Sequence, residues 1–374
     1  MQVYFTTVIR DAPPRKGGEL VWVDWQTKQV RRRVPIVATN PALNDPNPGS
    51  STRGGRGVEV FADTVIVASY HTLRVYDRNL RHQRDVSHPL MVGLHETHAQ
   101  SASEVWVSST AIDAALKIDM ETASILAESW PRERATFQEQ LKVAPQTIDK
   151  GVDNRGLFLS PATRKLNHLH LNAVAVWREE VFAHFAKFGA IVNLDRGEVT
   201  IQDPALRGGH NLIILDDGTA VVNDTYGRSV RFYDLKGKTL KRVINLTSFP
   251  SVRALLARHN LVYHARRILR KAKLYPHRPP RPLFVRGLSM LGDQLFVGVS
   301  PAAILHLDWR RGELMDMFCY SHDVGVCVLS CQPVAVVSRL ANDFQVHADA
   351  DGPGRRYLHI EQQSRHRGAC GQGE

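Results

Sequence analysis

Short runs of β-branched and apolar residues, separated by polar turns, recur along most of the chain. Examples are TVIVASY, which starts at Thr64, EVWVSST, which starts at Glu104, and QLFVGVS, which starts at Gln294. Each run is bounded by Gly, Asp or Ser, and runs of this length and composition are typical of β-strands. They follow a fixed order of first strand, polar turn, second strand and third strand. The pattern therefore predicts an all-β protein built from a repeated strand unit.

The third strand of each unit ends on an apolar or aromatic residue followed by Asp. These endings are VYD at Asp77, KID at Asp119, NLD at Asp195, FYD at Asp234 and HLD at Asp308, with WVD at Asp24 as a sixth. The residues that open the first strands can be aligned in the same way, as Arg56, His98, His170, His210, Arg286 and His322. The first five units span 21, 21, 25, 24 and 22 residues from opening residue to closing Asp.

The two ends of the chain complete each other. The N-terminal strands that end at Asp24 have no opening residue, whereas the unit that opens at His322 has no closing Asp. Joining them in one blade closes a ring and removes unpaired edge strands. We therefore predict an all-β, six-bladed β-propeller, with residues 1–360 as a single domain. The stretch Gln332–Ile360 contains more strand-like residues than closure needs, so five or seven blades are the alternatives.

Two gaps between the opening residues are longer than a blade needs. The openings are spaced 42, 72, 40, 76 and 36 residues apart, whereas four-stranded blades need about 40. We expect two partly helical insertions, over about residues 126–167 and 243–283. The tail 361–374 lacks an apolar pattern and is expected to be disordered.

The positive charge of the chain is concentrated in the second insertion. The net charge is +11, yet Leu235–Gly292 holds fourteen Lys or Arg and no Asp or Glu, which leaves 34 basic and 37 acidic residues elsewhere. Apolar residues such as Val252, Leu255 and Val262 fall at helical spacing and predict a basic amphipathic helix. Residues 252–281 could dock on an acidic partner or a membrane surface. The alternative is a solvated helix packed on the domain.

The sequence contains no motif that indicates a nucleic-acid partner or a nucleotide cofactor. Nothing near the basic segment resembles a nucleic-acid-binding module, so nucleic acid is not expected as a partner. No glycine-rich phosphate loop occurs, and we expect no nucleotide cofactor. The chain has four cysteines without a CxxC pair, no secretory signal and no long apolar run. These features predict a cytoplasmic protein with reduced thiols.

The six opening residues are the best candidate site, because the first strand of each propeller blade lines the central channel. His98, His170 and His210 come from three consecutive blades and could hold a divalent transition metal such as Fe, Zn or Mn. Arg56 and Arg286 come from the other side of the ring and could clamp a small anionic molecule.

Further residues near this ring could take part in the chemistry. We assign Asn172 and Asn211 to substrate binding, and Tyr226 and His322 to proton transfer. His95 flanks the ring and could orient its members. Together these residues predict a metal-assisted lyase, hydrolase or oxygenase. The alternative is a non-catalytic ligand-binding or protein-interaction propeller, whose ring residues make hydrogen bonds within the blades.

Three motifs resemble those of a family of bacterial propeller proteins of unassigned function. The motifs are HLNAVAV from His170, GGHNLIILDDG from Gly208 and VRGLSMLGDQLFVGVS from Val285. They correspond to H-x-N-[GA]-[VL]-A, P-H-[SN]-P-R and T-R-G-L-[AS], the last followed by V-G-[VL]-S. This chain has Gly209 where the family tends to have Pro, and Ile213-Ile214 where it has Pro-Arg. The resemblance implies a propeller and no established activity. More broadly, the chain is similar to gluconolactonase and NHL propellers, although their acidic calcium ligands are not evident.

Overall fold

Six β-sheets of a propeller contain about half of the described residues. The structure is a computed structural model that describes residues 1–10, 12, 16–37, 52–146, 148–159, 168–274, 283–323 and 325–335. The described strands belong to one compact unit, Met1–Val336. The tail expected at 361–374 and most of the strand-like stretch after Gln332 lie outside the described residues.

Five of the sheets have four strands each in sequential order, whereas the sixth combines the last described strand with the first three and has an extra short strand. The N-terminal strands are β1 (Gln2–Arg10), β2 (Glu19–Asp24), β3 (Gln29–Pro35) and the short β4 (Thr52–Gly54). Blade 1 comprises β5 (Val58–Phe61), β6 (Thr64–Ala68), β7 (Leu73–Asp77) and β8 (His82–Val86). Blade 2 comprises β9 (Leu94–Ala99), β10 (Glu104–Ser109), β11 (Ala114–Asp119) and β12 (Ile125–Ser129).

The remaining blades repeat this order. Blade 3 comprises β13 (Leu171–Trp177), β14 (Glu180–Phe185), β15 (Ala190–Asn193) and β16 (Glu198–Gln202). Blade 4 comprises β17 (His210–Ile214), β18 (Thr219–Asp224), β19 (Ser229–Asp234) and β20 (Thr239–Asn245). Blade 5 comprises β21 (Leu288–Leu291), β22 (Gln294–Val299), β23 (Ala303–Asp308) and β24 (Glu313–Cys319). The last strand is β25 (Val326–Val334).

The ring closes as predicted. Strand β25 pairs antiparallel with β1, and the closing blade has the order β25-β1-β2-β3. Phe5 lies opposite Cys331, and both are buried in a cluster that also contains Phe296 of blade 5. Burial of this seam in the apolar core holds the two chain ends together. The six-bladed prediction is confirmed.

The repeated Asp residues build turns. Oδ1 of Asp119 accepts hydrogen bonds from the backbone N–H groups of Glu121 and Thr122, at 2.7 and 3.0 Å. Asp24 and Asp234 accept equivalent backbone bonds at the ends of their strands. An Asp side chain that caps its own turn favours a tight connection. The motif that revealed the repeat is therefore structural.

Helices occur where the insertions are predicted. After β12 ends at Ser129, a short 3₁₀ turn leads into helix α1 (Ala135–Leu141). After β20, helix α2 (Pro250–Lys271) begins with proline in its first turn, where the missing N–H group costs nothing. Both insertions thus begin a few residues later than expected, because the outer strands are longer. No described helix is long and apolar enough to span a membrane.

Candidate metal and anion site

Three histidines from consecutive blades meet at one mouth of the channel. His95 of β9, His170 just before β13 and His210 of β17 each offer a ring nitrogen, and these atoms all lie within 4.8 Å of one another. Three atoms so placed all lie within about 2.8 Å of some common point, and small ring movements would reach the ~2.1 Å of a metal–imidazole bond. We call these residues the three-histidine cluster.

An irregular register occurs next to each histidine. The pairing of β9 with β10 shifts opposite Ser108, and β13 and β17 carry an extra residue at Asn172 and Asn211. His170 and Asn211 have left-handed backbones, with φ of 55° and 60°. A bulge bends a strand and re-aims its side chains. These distortions therefore direct the imidazoles toward a common point.

Asp113 of blade 2 accepts hydrogen bonds from the backbone at and just before His170. Its carboxylate accepts the N–H groups of His168, Leu169 and His170, at 2.7, 3.0 and 2.9 Å. Burial raises the pKa of this carboxyl to about 6, although the three backbone bonds act in the opposite direction. Asp113 is thus a positioning residue that links blade 2 to the start of blade 3.

The ring of His210 is held in a defined tautomer. Its Nδ1 lies 2.9 Å from Oγ1 of Thr225, and the Thr225 hydroxyl donates its own proton to the carbonyl of Val285, also at 2.9 Å. Nδ1 of His210 must therefore carry the hydrogen. Nε2 is left with a lone pair, is buried, and has no hydrogen-bond partner among the described residues. A ring nitrogen in this state is a ready metal ligand.

His95 lies between the other two imidazoles and an arginine. Its ring centroid is 5.1 Å from that of His170 and 6.4 Å from that of His210. Its Nδ1 lies 3.2 Å from the carbonyl of Gly93 and 3.3 Å from a guanidinium nitrogen of Arg56. His95 therefore connects the three-histidine cluster to the arginines.

The site keeps its imidazoles neutral. Burial lowers the pKa of His170 to about 3, and the nearby cations Arg286 and Lys187 act in the same direction. Burial also lowers the pKa values of His95 and His210 well below the ordinary range, with further contributions from surrounding charges. A neutral imidazole is the form that coordinates a metal.

Three arginines gather beside the histidines. The guanidinium carbons of Arg10 and Arg286 each lie 4.7 Å from the ring centroid of Phe284. Burial, together with the charges of Arg10 and Arg56, lowers the pKa of Arg286 to about 9. Nε of Arg286 is buried without a hydrogen-bond partner, and within the described chain no carboxylate forms a salt bridge with any of the three arginines. We call Arg10, Arg56 and Arg286 the arginine group.

A cavity of about 730 Å³ opens beside these residues. It is lined by His170, Lys187, Arg207, His210, Tyr226 and Arg286, among others. The Tyr226 side chain is 54% exposed, and its ring stands edge-on to Phe284. The predicted residues Tyr226, Arg286, His170 and His210 thus share one cavity that a small molecule can enter.

His98 does not join the cluster to which we assigned it. It follows His95 by three residues, or about 10 Å along an extended strand, and lines a second cavity of about 180 Å³ with Glu59 and Glu96. Burial raises the pKa of Glu59 to about 8. The expected position of His98 is taken by His95, which lies 24 residues before Asp119, as His210 lies 24 before Asp234. This shared spacing of 24 residues is the sequence feature that could have identified His95 as the member of the ring.

Asn172 and Asn211 make hydrogen bonds inside the protein. Nδ2 of Asn172 donates to the carbonyl of Gly209 at 2.7 Å, and its Oδ1 lies 3.0 Å from Nδ1 of His184. Oδ1 of Asn211 accepts the N–H of Gly287 at 2.9 Å. Both side chains are buried, and neither lines the larger cavity. Asn172 and Asn211 therefore hold the inner strands of neighbouring blades together.

The sixth position of the ring is held by Arg10. His322 is exposed, and no contact joins it to the cluster within the described part of the chain. Arg10 ends β1, and its backbone N–H donates to the carbonyl of Gly325 just before β25. The closing blade therefore contributes an arginine from its second strand, whereas the sequence pattern indicated a histidine at the first.

Comparisons with known proteins support the fold alone. No protein-family model matches the sequence, and no curated protein matches it. Among solved structures, a protein of unknown function from Bacteroides caccae is similar in fold, with a TM-score of 0.54 and 9% sequence identity. The match covers 88% of this chain and 98% of that one. The chain is therefore a six-bladed β-propeller that shares its fold with this structural neighbour.

Proposed function

We propose that the protein is an enzyme with a divalent metal bound by His95, His170 and His210, acting on a small anionic substrate. The observation that carries this proposal is the convergence of three ring nitrogens within 4.8 Å, one of them a buried and unpartnered Nε2. Buried ring nitrogens without a partner also occur in His71, His184, His259 and His306, so it is the convergence of three ring nitrogens that sets this cluster apart among the described residues. Three protein ligands leave coordination positions open for water or substrate, as catalytic sites require.

The three imidazole ligands limit which metals the site would prefer. Three imidazoles without a carboxylate favour Zn or Fe over Mn, which prefers oxygen ligands. A bound metal would polarise a carbonyl or lower the pKa of a bound water. The reaction classes that fit this site are therefore metal-assisted hydrolysis, elimination as in a lyase, and oxygenation.

The arginine group supports an anionic substrate. The three guanidiniums repel one another, and the charge of the buried Glu96 offsets only part of that repulsion at Arg286. An anion between them would relieve the remainder. A carboxylate or phosphate could accept bidentate hydrogen bonds from Arg286 while another part of the substrate reaches the metal. Tyr226, which lines the same cavity, is our candidate for proton transfer. The site so defined includes Arg10 and leaves out His98 and His322.

Two further expectations belong to this proposal. The motifs around His170, His210 and Arg286 support kinship with the bacterial propeller family named above, whose members share these site positions. A cytoplasmic location is supported by Cys319, Cys327 and Cys331, which are free thiols.

The deciding experiment is elemental analysis of the purified, untagged protein by plasma mass spectrometry. The comparison includes His95→Ala, His210→Ala and the control variant His98→Ala. We expect near-stoichiometric Zn or Fe in the unmodified protein and in His98→Ala, and loss of the metal in the other two. Circular dichroism and thermal melting would establish that all variants are folded.

Two results would contradict the proposal. If the metal were lost with His98 but retained without His95, the site would lie in the smaller cavity. If folded protein bound no added Zn or Fe, the channel mouth would be an anion pocket of a non-catalytic propeller.

A further inference from the structure

Helix α2 has a second apolar face that nothing in the described structure covers. Its buried side packs on the propeller through Val252, Leu255 and His259, which all lie in its N-terminal half. The opposite side carries an exposed stripe at helical spacing, Ala254, Ala257, Leu261, Ala265, Ile268 and Ala272. Leu261 is 74% exposed and Ile268 is 67% exposed. We call these six residues the apolar stripe.

Cations border the apolar stripe on both sides. Between Pro250 and Leu274 the chain has seven Lys or Arg and no Asp or Glu. On an ideal helix, Arg253 and Lys271 fall along one border of the stripe and Arg258 along the other. The helix is about 33 Å long, and every residue from Arg267 to Leu274 is exposed. Its C-terminal part thus presents leucine, isoleucine and basic side chains directly to the surroundings.

We propose that α2 lies in the surface of an anionic membrane, with the apolar stripe inserted and the basic borders on the phosphate groups. An apolar face flanked by Lys or Arg is the pattern of interfacial helices, because the long cationic side chains reach back to the headgroups. Basic residues near such a surface are attracted to its anionic lipids, and salt screens that attraction. The charge also opposes a second copy of this chain as the occupant, since two such helices would bring fourteen cations together.

Vesicle flotation tests this proposal with the full chain. Phosphatidylcholine vesicles are compared with vesicles that also contain phosphatidylglycerol, at low and at physiological ionic strength. We expect binding to the anionic vesicles alone, weakened by salt. The double variant Leu261→Ser, Ile268→Ser should bind at least ~10-fold more weakly, because two apolar side chains no longer leave water. The control is Leu240→Ser, Met315→Ser, which changes residues of β20 and β24 that are 46% and 56% exposed, and it should bind as the unmodified protein does.

Three outcomes would overturn the proposal. Equal binding of the stripe variant would mean that only charge attracts the protein to the vesicle. A dimer in solution that the stripe variant abolishes would identify a second copy as the occupant. Binding to an acidic polypeptide but to no vesicle would make the surface a protein interface. Metal content is unaffected by any of these outcomes, so the two proposals are tested separately.

Discussion

The hydroxyl oxygen of Thr225 lies 2.9 Å from Nδ1 of His210, and this contact determines which ring nitrogen faces the channel. Because the Thr225 hydroxyl already donates to a carbonyl, it can only accept from the imidazole. The free Nε2 of His210 is therefore a property of the apo fold. In the proposed metal site this nitrogen would be available without rearrangement, and the hydrogen bond that orients the ring can be tested directly.

Thr225→Val removes that hydrogen bond while keeping the shape of the side chain. We expect metal affinity to fall roughly tenfold to a hundredfold, the usual effect of losing a hydrogen bond behind a ligating imidazole. Competition with a chelator of known affinity measures the change. Thr225→Ser retains the hydroxyl and should restore affinity. Equal affinity in all three proteins would show that Thr225 does not orient the ligand.

Arg286→Gln should weaken the binding of small anions. Inorganic phosphate is a suitable probe, because guanidinium groups bind it through charge-assisted hydrogen bonds. We expect phosphate to raise the melting temperature of the unmodified protein and the affinity of the variant to fall at least ~10-fold. The control Arg310→Gln alters an exposed arginine that pairs with Asp293. If both variants responded to phosphate alike, the arginine group would not be the anion site.

Gly298→Ala should destabilise the inner part of the propeller. A Cβ at Gly298 would stand 2.4 Å from the carbonyl oxygen of Arg286 and 2.6 Å from the Val328 side chain. Both contacts lie between packed strands, so we expect the free energy of unfolding to fall by about 2–3 kcal/mol. Gly292→Ala has nothing within 4 Å and should cost about 1 kcal/mol for its left-handed backbone. Urea unfolding compares the two, and equal midpoints would contradict this account of the packing.

The pH dependence of stability should contain a contribution from His259. Burial lowers its pKa to about 4, and the charges of Arg266 and Arg10 act in the same direction, while the Ser300 carbonyl opposes them. Between pH 6.5 and 4 the unfolded chain therefore binds a proton that the native protein does not. The free energy of unfolding contributed by this group is fully present above pH 6.5 and falls as the pH drops, by up to ~3 kcal/mol.

The variant His259→Gln isolates that contribution, because glutamine does not titrate. The unfolding free energy of the variant should decline less steeply than that of the unmodified protein between pH 6.5 and 4. Parallel curves would mean that His259 is protonated at the same pH in both states.

Much of the fold could be predicted because each blade repeats local chemistry. Alternating β-branched residues predict the strands, and the Asp that ends each third strand also caps the following turn. Closure of the ring followed from two incomplete units at the chain ends. Residue spacing was therefore enough to predict six blades, and the positions of α1 and α2 to within several residues.

The candidate site could be predicted only in part. Four site residues could be predicted because the first strand of each blade begins near the channel mouth. They are Arg56, His170, His210 and Arg286. The choice between His95 and His98 depends on the register of β9, where a bulge shifts the pairing by one residue. Spacing alone allowed both histidines, since each lies at a plausible distance from Asp119.

The architecture could be inferred from residue order, because the hydrophobic period and the turn chemistry are local and repeat from blade to blade. Which side chains meet depends on the folded protein. Arg10 and Arg286 lie on one Phe284 ring although more than 270 residues separate them along the chain. Likewise, Asp113 orients His170 from the neighbouring blade. Such contacts arise from closure of the ring and from bulges in single strands, and neither leaves a periodic trace in the sequence.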